Sequence, residues 1–376
     1  MKQFVMLILS AIVLSSCQNH ESKVTEQMSS RFEIKRGLNT SHWLSQSDIR
    51  GEERVQYMQA KDFAKIAEMG FDHVRIPIDE EQMWDEQGNK HLEAFQLLHQ
   101  AIKWSFENNL KVIVDLHVLR SHHFNYDNDQ LWEDPAAQEK FWGFWNELSD
   151  ELSHYPNHLL AYELMNEAVA DDSEDWNKLI AKGIETVRKR EPERTIVVGS
   201  NRWQQVYTFP ELKIPDNDTN IILSFHFYEP FIITHYQTWW NAMKDFEGQL
   251  NYPGLTTDSS NYEDYNEALA STLKEHNQYY DKQVMIDKIQ VAIDFAKKRN
   301  LQLYCGEFGA YPSTPMILRQ KLYQDYMEVF NENNIAWAHW NYKNDFPLVD
   351  AETLEPISGL VDILVPKEKK RTVSKR

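Results

Sequence analysis

The sequence predicts an α/β fold, a single (β/α)8 barrel (a TIM barrel) with enlarged loops at the C-terminal face of its strands. Three observations carry that expectation. Eight short apolar runs alternate with stretches of helical period between residues 34 and 342. Several runs, such as Val112-Ile113-Val114 and Thr195-Ile196-Val197-Val198, are apolar on both faces, which suits a parallel sheet covered by helices. An open doubly wound sheet would show a glycine-rich phosphate loop after its first strand, and none is present.

In chain order, the predicted strands are Ile34–Thr40, His73–Ile78, Leu110–His117, Leu159–Glu167, Arg194–Ser200, Asn220–Tyr228, Leu301–Gly309 and Ile335–Tyr342. Between them lie helical faces. Phe63, Ile66 and Ala67 share one before Gly70 stops the helix. Phe95, Leu98, Ala101 and Ile102 give the second, and Phe141, Phe144, Trp145, Leu148 and Leu152 the third. Leu179, Ile180, Ile184 and Val187 follow, then Ile286, Ile289, Ile293 and Phe295, then Leu318, Leu322, Tyr326 and Val329. The longest connection, from Tyr228 to about residue 284, is expected to wall the upper face of the barrel. No linker rich in Pro, Gly or Ser divides the chain, so one domain is expected over residues 31–365.

The ends of the chain read differently. Lys2 and the apolar run Phe4 to Leu14 form a signal peptide, residues 1–16, too short to span a bilayer. It closes Leu14-Ser15-Ser16-Cys17, which resembles a bacterial lipobox and implies lipid on Cys17. Residues 17–30 read as a polar tether and residues 366–376 as a charged tail. The expected location is outside the cytoplasm, as a membrane-anchored lipoprotein. With Cys17 modified, Cys305 has no partner for an intrachain disulfide and reads as a small buried hydrophobe.

Bulk properties narrow the partners. A formal charge of −19 argues against a nucleic-acid backbone. Twelve Trp and 17 Tyr supply stacking platforms as well as core. His117, His122 and His123 match no zinc spacing, and Asp127-Asn128-Asp129 lacks the glycine and terminal glutamate of an EF-hand, so no metal and no cofactor is expected. No feature fixes an oligomeric state, and a monomer is the default.

Catalytic groups of such a barrel lie at the C-terminal ends of its strands. Glu167, preceded by Asn166, closes the fourth predicted run, and Glu307 stands near the end of the seventh. A pair of strand-end carboxyls is what hydrolysis of a glycosidic bond requires, one to protonate the leaving oxygen and one to attack or to activate water. Arg75, His117, His226, Tyr228 and Trp340 stand at the ends of other runs. This order resembles glycoside hydrolase family 5, retaining (β/α)8 glycosidases that include many cellulases. Its Arg, His, Asn, Glu, His, Tyr, Glu and Trp correspond to Arg75, His117, Asn166, Glu167, His226, Tyr228, Glu307 and Trp340.

The resemblance implies that Glu307 is the nucleophile and Glu167 the acid/base. Arg75 would hold Glu307 ionised, Tyr228 would donate to it, and Asn166 would bond the sugar 2-hydroxyl. Trp340 and Asn39 are expected to bind substrate, and so are the loop residues Trp43, Trp203 and Trp239. Trp84, Trp132 and Trp240 are weighed evenly between sugar stacking and packing. The sequence after His117, Val118-Leu119-Arg120-Ser121-His122-His123, departs from the short Gly-containing loop of many family cellulases, which puts substrate contacts there in doubt.

The implied activity is an endo-β-1,4-glucanase working on β-glucan. β-Mannan, xyloglucan, β-1,3-glucan and xylan remain alternative substrates, because loops decide among sugars that differ by one hydroxyl or a branch. A non-catalytic surface glycan-binding lipoprotein is the rival from another class.

Overall fold

A computed structural model describes residues 31–125, 130–258, 262–357 and 359–366. The expected signal peptide, Cys17, the expected tether and the Asp127-Asn128-Asp129 run lie outside the described residues, as does the charged tail apart from Pro366.

Among the described residues ten strands follow in chain order: β1 (Arg36–Asn39), β2 (His73–Asp79), β3 (Lys111–Val118), β4 (Leu160–Glu163), β5 (Thr195–Gly199), β6 (Ile221–His226), β7 (Gly254–Leu255), β8 (Tyr279–Tyr280), β9 (Gln302–Glu307) and β10 (Ala336–His339). Eight of them close into a barrel in the order β1-β10-β9-β6-β5-β4-β3-β2, and each recorded barrel pairing is parallel. Closure leaves no exposed edge in the barrel. β7 and β8 form a small antiparallel pair inside the long connection.

Helices cover the outside. The main ones span Ala60–Glu68, Leu92–Glu107, Pro135–Leu152, Ser173–Arg190, Lys282–Arg299 and Met316–Glu332. Their starts follow local chemistry. The Asp134 carboxylate accepts the Ala136 N–H with Pro135 in the first turn, and Asp281 accepts the Val284 N–H. Gly70, at φ 95°, stands just past the end of its helix, where a left-handed turn suits a residue with no Cβ.

Strand alternation layers the barrel interior. Ile113, Ala161, Val197, Ile222, Tyr304, Ala336 and Ala338 cluster with Phe32 and Ile34 as a buried apolar floor. Two residues further along β3 and β4, the same face carries Asp115 and Glu163, which are register partners. Arg75 of β2 is in register with Ile113 and with Asn39 of β1. A polar layer therefore sits on an apolar one, nearer the C-terminal ends of the strands.

Strand boundaries differ from the sequence reading at one consequential place. β4 ends at Glu163, so Glu167 is not a strand residue. Beyond Glu163 the chain splays between neighbours: the Leu164 N–H donates to Val197 of β5, and the Asn166 N–H to Leu116 of β3. Across the barrel, the β6–β9 register shifts between Phe225 and His226, so His226 opposes Glu307 and Gly306 is the extra residue. Such a bulge re-aims the side chain that follows it.

The long connection is rooted in the barrel. Hydroxyls of Thr234, Tyr252 and Tyr326 donate to Tyr228 O, to Asp325 and to Glu229 O, each at 2.6 Å. It brings His235, Trp239 and Trp240 toward the upper face, with the His235 ring 5.3 Å from Tyr228 and Trp240 5.4 Å from Tyr311.

Candidate active site

Arg75 organises the upper face. Its side chain is fully buried and its donors reach five groups. Nε donates to Glu163 at 2.6 Å, Nη1 to Glu307 at 2.7 Å and to Asn39 Oδ1 at 3.0 Å. Nη2 donates to Asn166 Oδ1 at 2.8 Å and lies 2.9 Å from an Asp115 oxygen. One cation faces three carboxyls. Burial raises Asp115 to about 7 against the pull of Arg75, and it raises Glu163 in the same way.

The two glutamates meet above this layer. One oxygen from each lies within 4.8 Å of the other and of a ring nitrogen of His226. That is on the scale of the ~5–5.5 Å separation of a retaining pair, and short of the ~6.5–9.5 Å that an inverting pair leaves for water. Their partners differ. Glu307 receives Arg75 on Oε1 and the Tyr228 hydroxyl on Oε2, the latter at 3.0 Å. Glu167 Oε1 lies 2.7 Å from His226 Nδ1 and has no cation in contact among the described residues. This trio also meets the distance requirement for a metal ion, but Arg75 already supplies positive charge to Glu307.

Electrostatics separate the pair. Burial, and next the charge of Glu307, push Glu167 well above the ordinary carboxyl range. Burial raises Glu307 too, with Arg75 and Tyr228 pulling the other way, so Glu307 gives up its proton first. Burial and Arg75 hold His117 and His226 well below the usual imidazole range, so both are neutral near pH 7. His117 Nδ1 lies 2.6 Å from Asp115, which turns Nε2 to the other side of the ring. Burial also keeps the Tyr228 hydroxyl protonated as a donor.

Other groups complete the cleft. Trp340 lies parallel to the His117 ring at 9°, centroids 5.5 Å apart, with His42 at its edge. Asn166 Nδ2 and His226 Nε2 are buried with no protein partner among the described residues. A donor and a ring nitrogen left open beside two carboxyls suit sugar hydroxyls.

The structure thus gathers Arg75, His117, Asn166, Glu167, His226, Tyr228, Glu307 and Trp340. Other expectations need correction. Trp43 is wholly buried and its indole N–H donates to Arg54 O, so it is core, not a sugar platform. Trp84 is equally buried, donating to Glu147, and Trp132 packs between His122 and Trp176. Asn39 is closed to substrate because its amide is spent on Gly306 O, His339 O and Arg75. Trp203 and Trp239 do reach solvent, 39% and 69% exposed.

Sequence reasoning gave no role to Asp115, Glu163, His122 or Gln204. For two of them a signal existed. Asp115 precedes His117 by two, and Glu163 follows Ala161 by two, so each shares the inward face of its strand.

Comparisons with known proteins agree with this geometry. Residues 34–346 match the family described as Cellulase (glycosyl hydrolase family 5). Endoglucanase C of Acetivibrio thermocellus is 30% identical over 342 residues, covering 89% of this chain and 99% of the relative. Cellodextrinase A of Ruminococcus flavefaciens is 27% identical, covering 81% and 84%. Among solved structures, the cellulose synthase subunit Z of Clostridioides difficile superposes with a TM-score of 0.71 at 26% identity, covering 89% of this chain and all of that one.

Two outcomes follow from the electrostatics. Arg75→Met leaves three carboxyls facing one another without a cation and is expected to cost about 3–5 kcal/mol, read by urea denaturation. Glu307→Gln removes the charge that raises Glu167, so the Glu167 carboxyl should ionise at lower pH, followed by its infrared carboxylate band. An unmoved titration would disconnect the pair.

Proposed function

The chain belongs to glycosyl hydrolase family 5, and from that membership we propose that it is an endo-β-1,4-glucanase acting by double displacement through a covalent glycosyl-enzyme. It is a glycoside hydrolase. The observation that carries the mechanism is the close carboxyl pair with unlike partners: Arg75 and Tyr228 on Glu307, His226 on Glu167. The relatives' names, endoglucanase and cellodextrinase, support a β-1,4-glucan as substrate.

Each group then has a task. Glu307, ionised first, attacks the anomeric carbon and forms the glycosyl ester. Glu167 gives its proton to the departing oxygen, so the leaving sugar departs as an alcohol. In the second half, Glu167 takes a proton from water as that water attacks the anomeric carbon and releases Glu307. Arg75 and Tyr228 keep Glu307 oriented and disperse its charge. The open Nδ2 of Asn166 is placed to donate to the sugar 2-hydroxyl, a contact that strengthens in the transition state. Trp340, backed by His117, offers an apolar face to the ring being cleaved. Trp203 and Trp239 are exposed rings suited to sugars further along the chain.

We also propose that the protein is exported and anchored through lipid on Cys17, on the strength of the apolar run and lipobox-like ending of residues 1–17. Among the described residues no helix is long and apolar enough to cross a membrane. An anchor at the N-terminus would leave the barrel free at the end of its tether.

Glu167→Gln and Glu307→Ala are expected to lower turnover of cello-oligosaccharides by at least ~10²-fold. Proton NMR of the first product should show retained anomeric configuration, and inverted product would refute the double displacement. A panel of β-glucan, mannan, xyloglucan and xylan oligosaccharides tests the substrate, with internal cuts of cellohexaose expected. Cys17→Ser should move the protein from membrane to soluble fractions, and unchanged partitioning would remove the lipid anchor.

A further inference from the structure

Neither backbone group of Glu167 itself is held by a strand. Glu167 lies four residues beyond the end of β4, at φ 42°, in the left-handed region that side chains other than glycine disfavour. Side chains from elsewhere take the place of a ladder. The Glu167 N–H donates to Gln204 Oε1 at 2.9 Å, and His122 Nε2 lies 3.1 Å from the Glu167 carbonyl oxygen. Two carbonyl lone pairs cannot bond an unprotonated nitrogen, so His122 carries its hydrogen on Nε2. One residue further on, the Trp203 N–H donates to Ala168 O at 3.1 Å.

Gln204 is built for this contact. It follows Arg202 and Trp203 in an unbroken left-handed run, with φ of 52°, 61° and 55°. Three such residues in a row carry a steric cost that surrounding structure must offset. The run turns the Gln204 side chain inward, where it is 1% exposed. It passes over Gly199, whose missing Cβ makes the room: a Cβ there would stand 2.3–2.7 Å from Gln204 Cγ, Cδ and Nε2. The amide nitrogen donates to Ser224 Oγ at 2.9 Å, and this commitment leaves Oε1 as the end facing Glu167.

We propose that Gln204, with His122 on the opposite side, is a positioning residue that clamps the peptide of Glu167 and so aims its carboxyl at the leaving oxygen. The inference rests on the acid/base reading of Glu167. It adds that proton transfer depends on a glutamine that touches neither substrate nor the carboxyl itself. Of the two catalytic glutamates the clamp meets only Glu167 directly, since Glu307 is held by β9, Arg75 and Tyr228, while the Gln204 amide also lies 3.4 Å from Glu163 Oε1 in the layer below.

Leaving-group dependence separates this role from general damage. A dinitrophenyl glycoside departs without a proton, whereas a sugar alcohol needs one. Gln204→Ala is expected to lower kcat/KM on the oligosaccharide that the wild-type enzyme turns over by ~10²-fold, the scale of a misplaced catalytic group, and to leave kcat/KM on the matching dinitrophenyl glycoside nearly unchanged. Gly199→Ala should give the same split with Gln204 still present, because the new methyl displaces its side chain. Equal losses on both substrates, or no loss on either, would overturn the clamp. Glu167→Ala run alongside guards the underlying reading: if it shows no split, the acid/base assignment fails, and if it alone shows one, only the clamp fails.

Discussion

One buried guanidinium organises the working face of this barrel. Arg75 has no exposure to water, and an isolated cation there would be prohibitively costly. It is tolerated because β1, β3, β4, the loop after β4 and β9 each deliver an acceptor: Asn39, Asp115, Glu163, Asn166 and Glu307. The dependence is mutual. Without Arg75 the carboxyls would repel, and without them the cation would not be buried. A planar fork of five donors serves partners in several directions, which a lysine ammonium on its flexible stem does not.

The same arrangement gives two identical side chains different chemistry. Glu307 sees a cation and a hydroxyl, and Glu167 sees a neutral imidazole and another carboxyl. Proximity raises the cost of ionising both, and the unequal partners decide which holds the proton. The neutral states of His117 and His226 belong to this balance, since a second cation beside Arg75 would weaken its hold on Glu307.

The two carboxyls are also held by different means. Glu307 ends a barrel strand and is turned into place by the extra residue at Gly306. Glu167 hangs from a loop, and its own N–H and carbonyl are met by side chains of other segments. A strand fixes direction through its ladder, whereas a loop borrows rigidity from its neighbours. This asymmetry explains why residues around β5, far from Glu167 in the chain, belong to the site.

Much of this was legible in the order of residues. The eight apolar runs marked the barrel strands because each is short, several are apolar on both faces, and stretches of helical period separate them. The eight residues of the constellation were picked out by their order, which resembles that of glycoside hydrolase family 5, and the fold brings them to one face. The aromatic loop residues were not, since a tryptophan that packs and one that faces a cleft look alike in a chain; Trp43 and Trp203 differ only in what surrounds them. Local pattern pointed to the barrel, because periodicity and residue type are properties of neighbours in sequence, and the resemblance of its strand-end residues to glycoside hydrolase family 5 supplied the chemistry. Only the folded chain decided that β4 stops at Glu163, that Asn39 serves Arg75, and that Gln204 grips Glu167 across Gly199. Those contacts join residues from different strands, and their energies depend on distances that no stretch of sequence encodes.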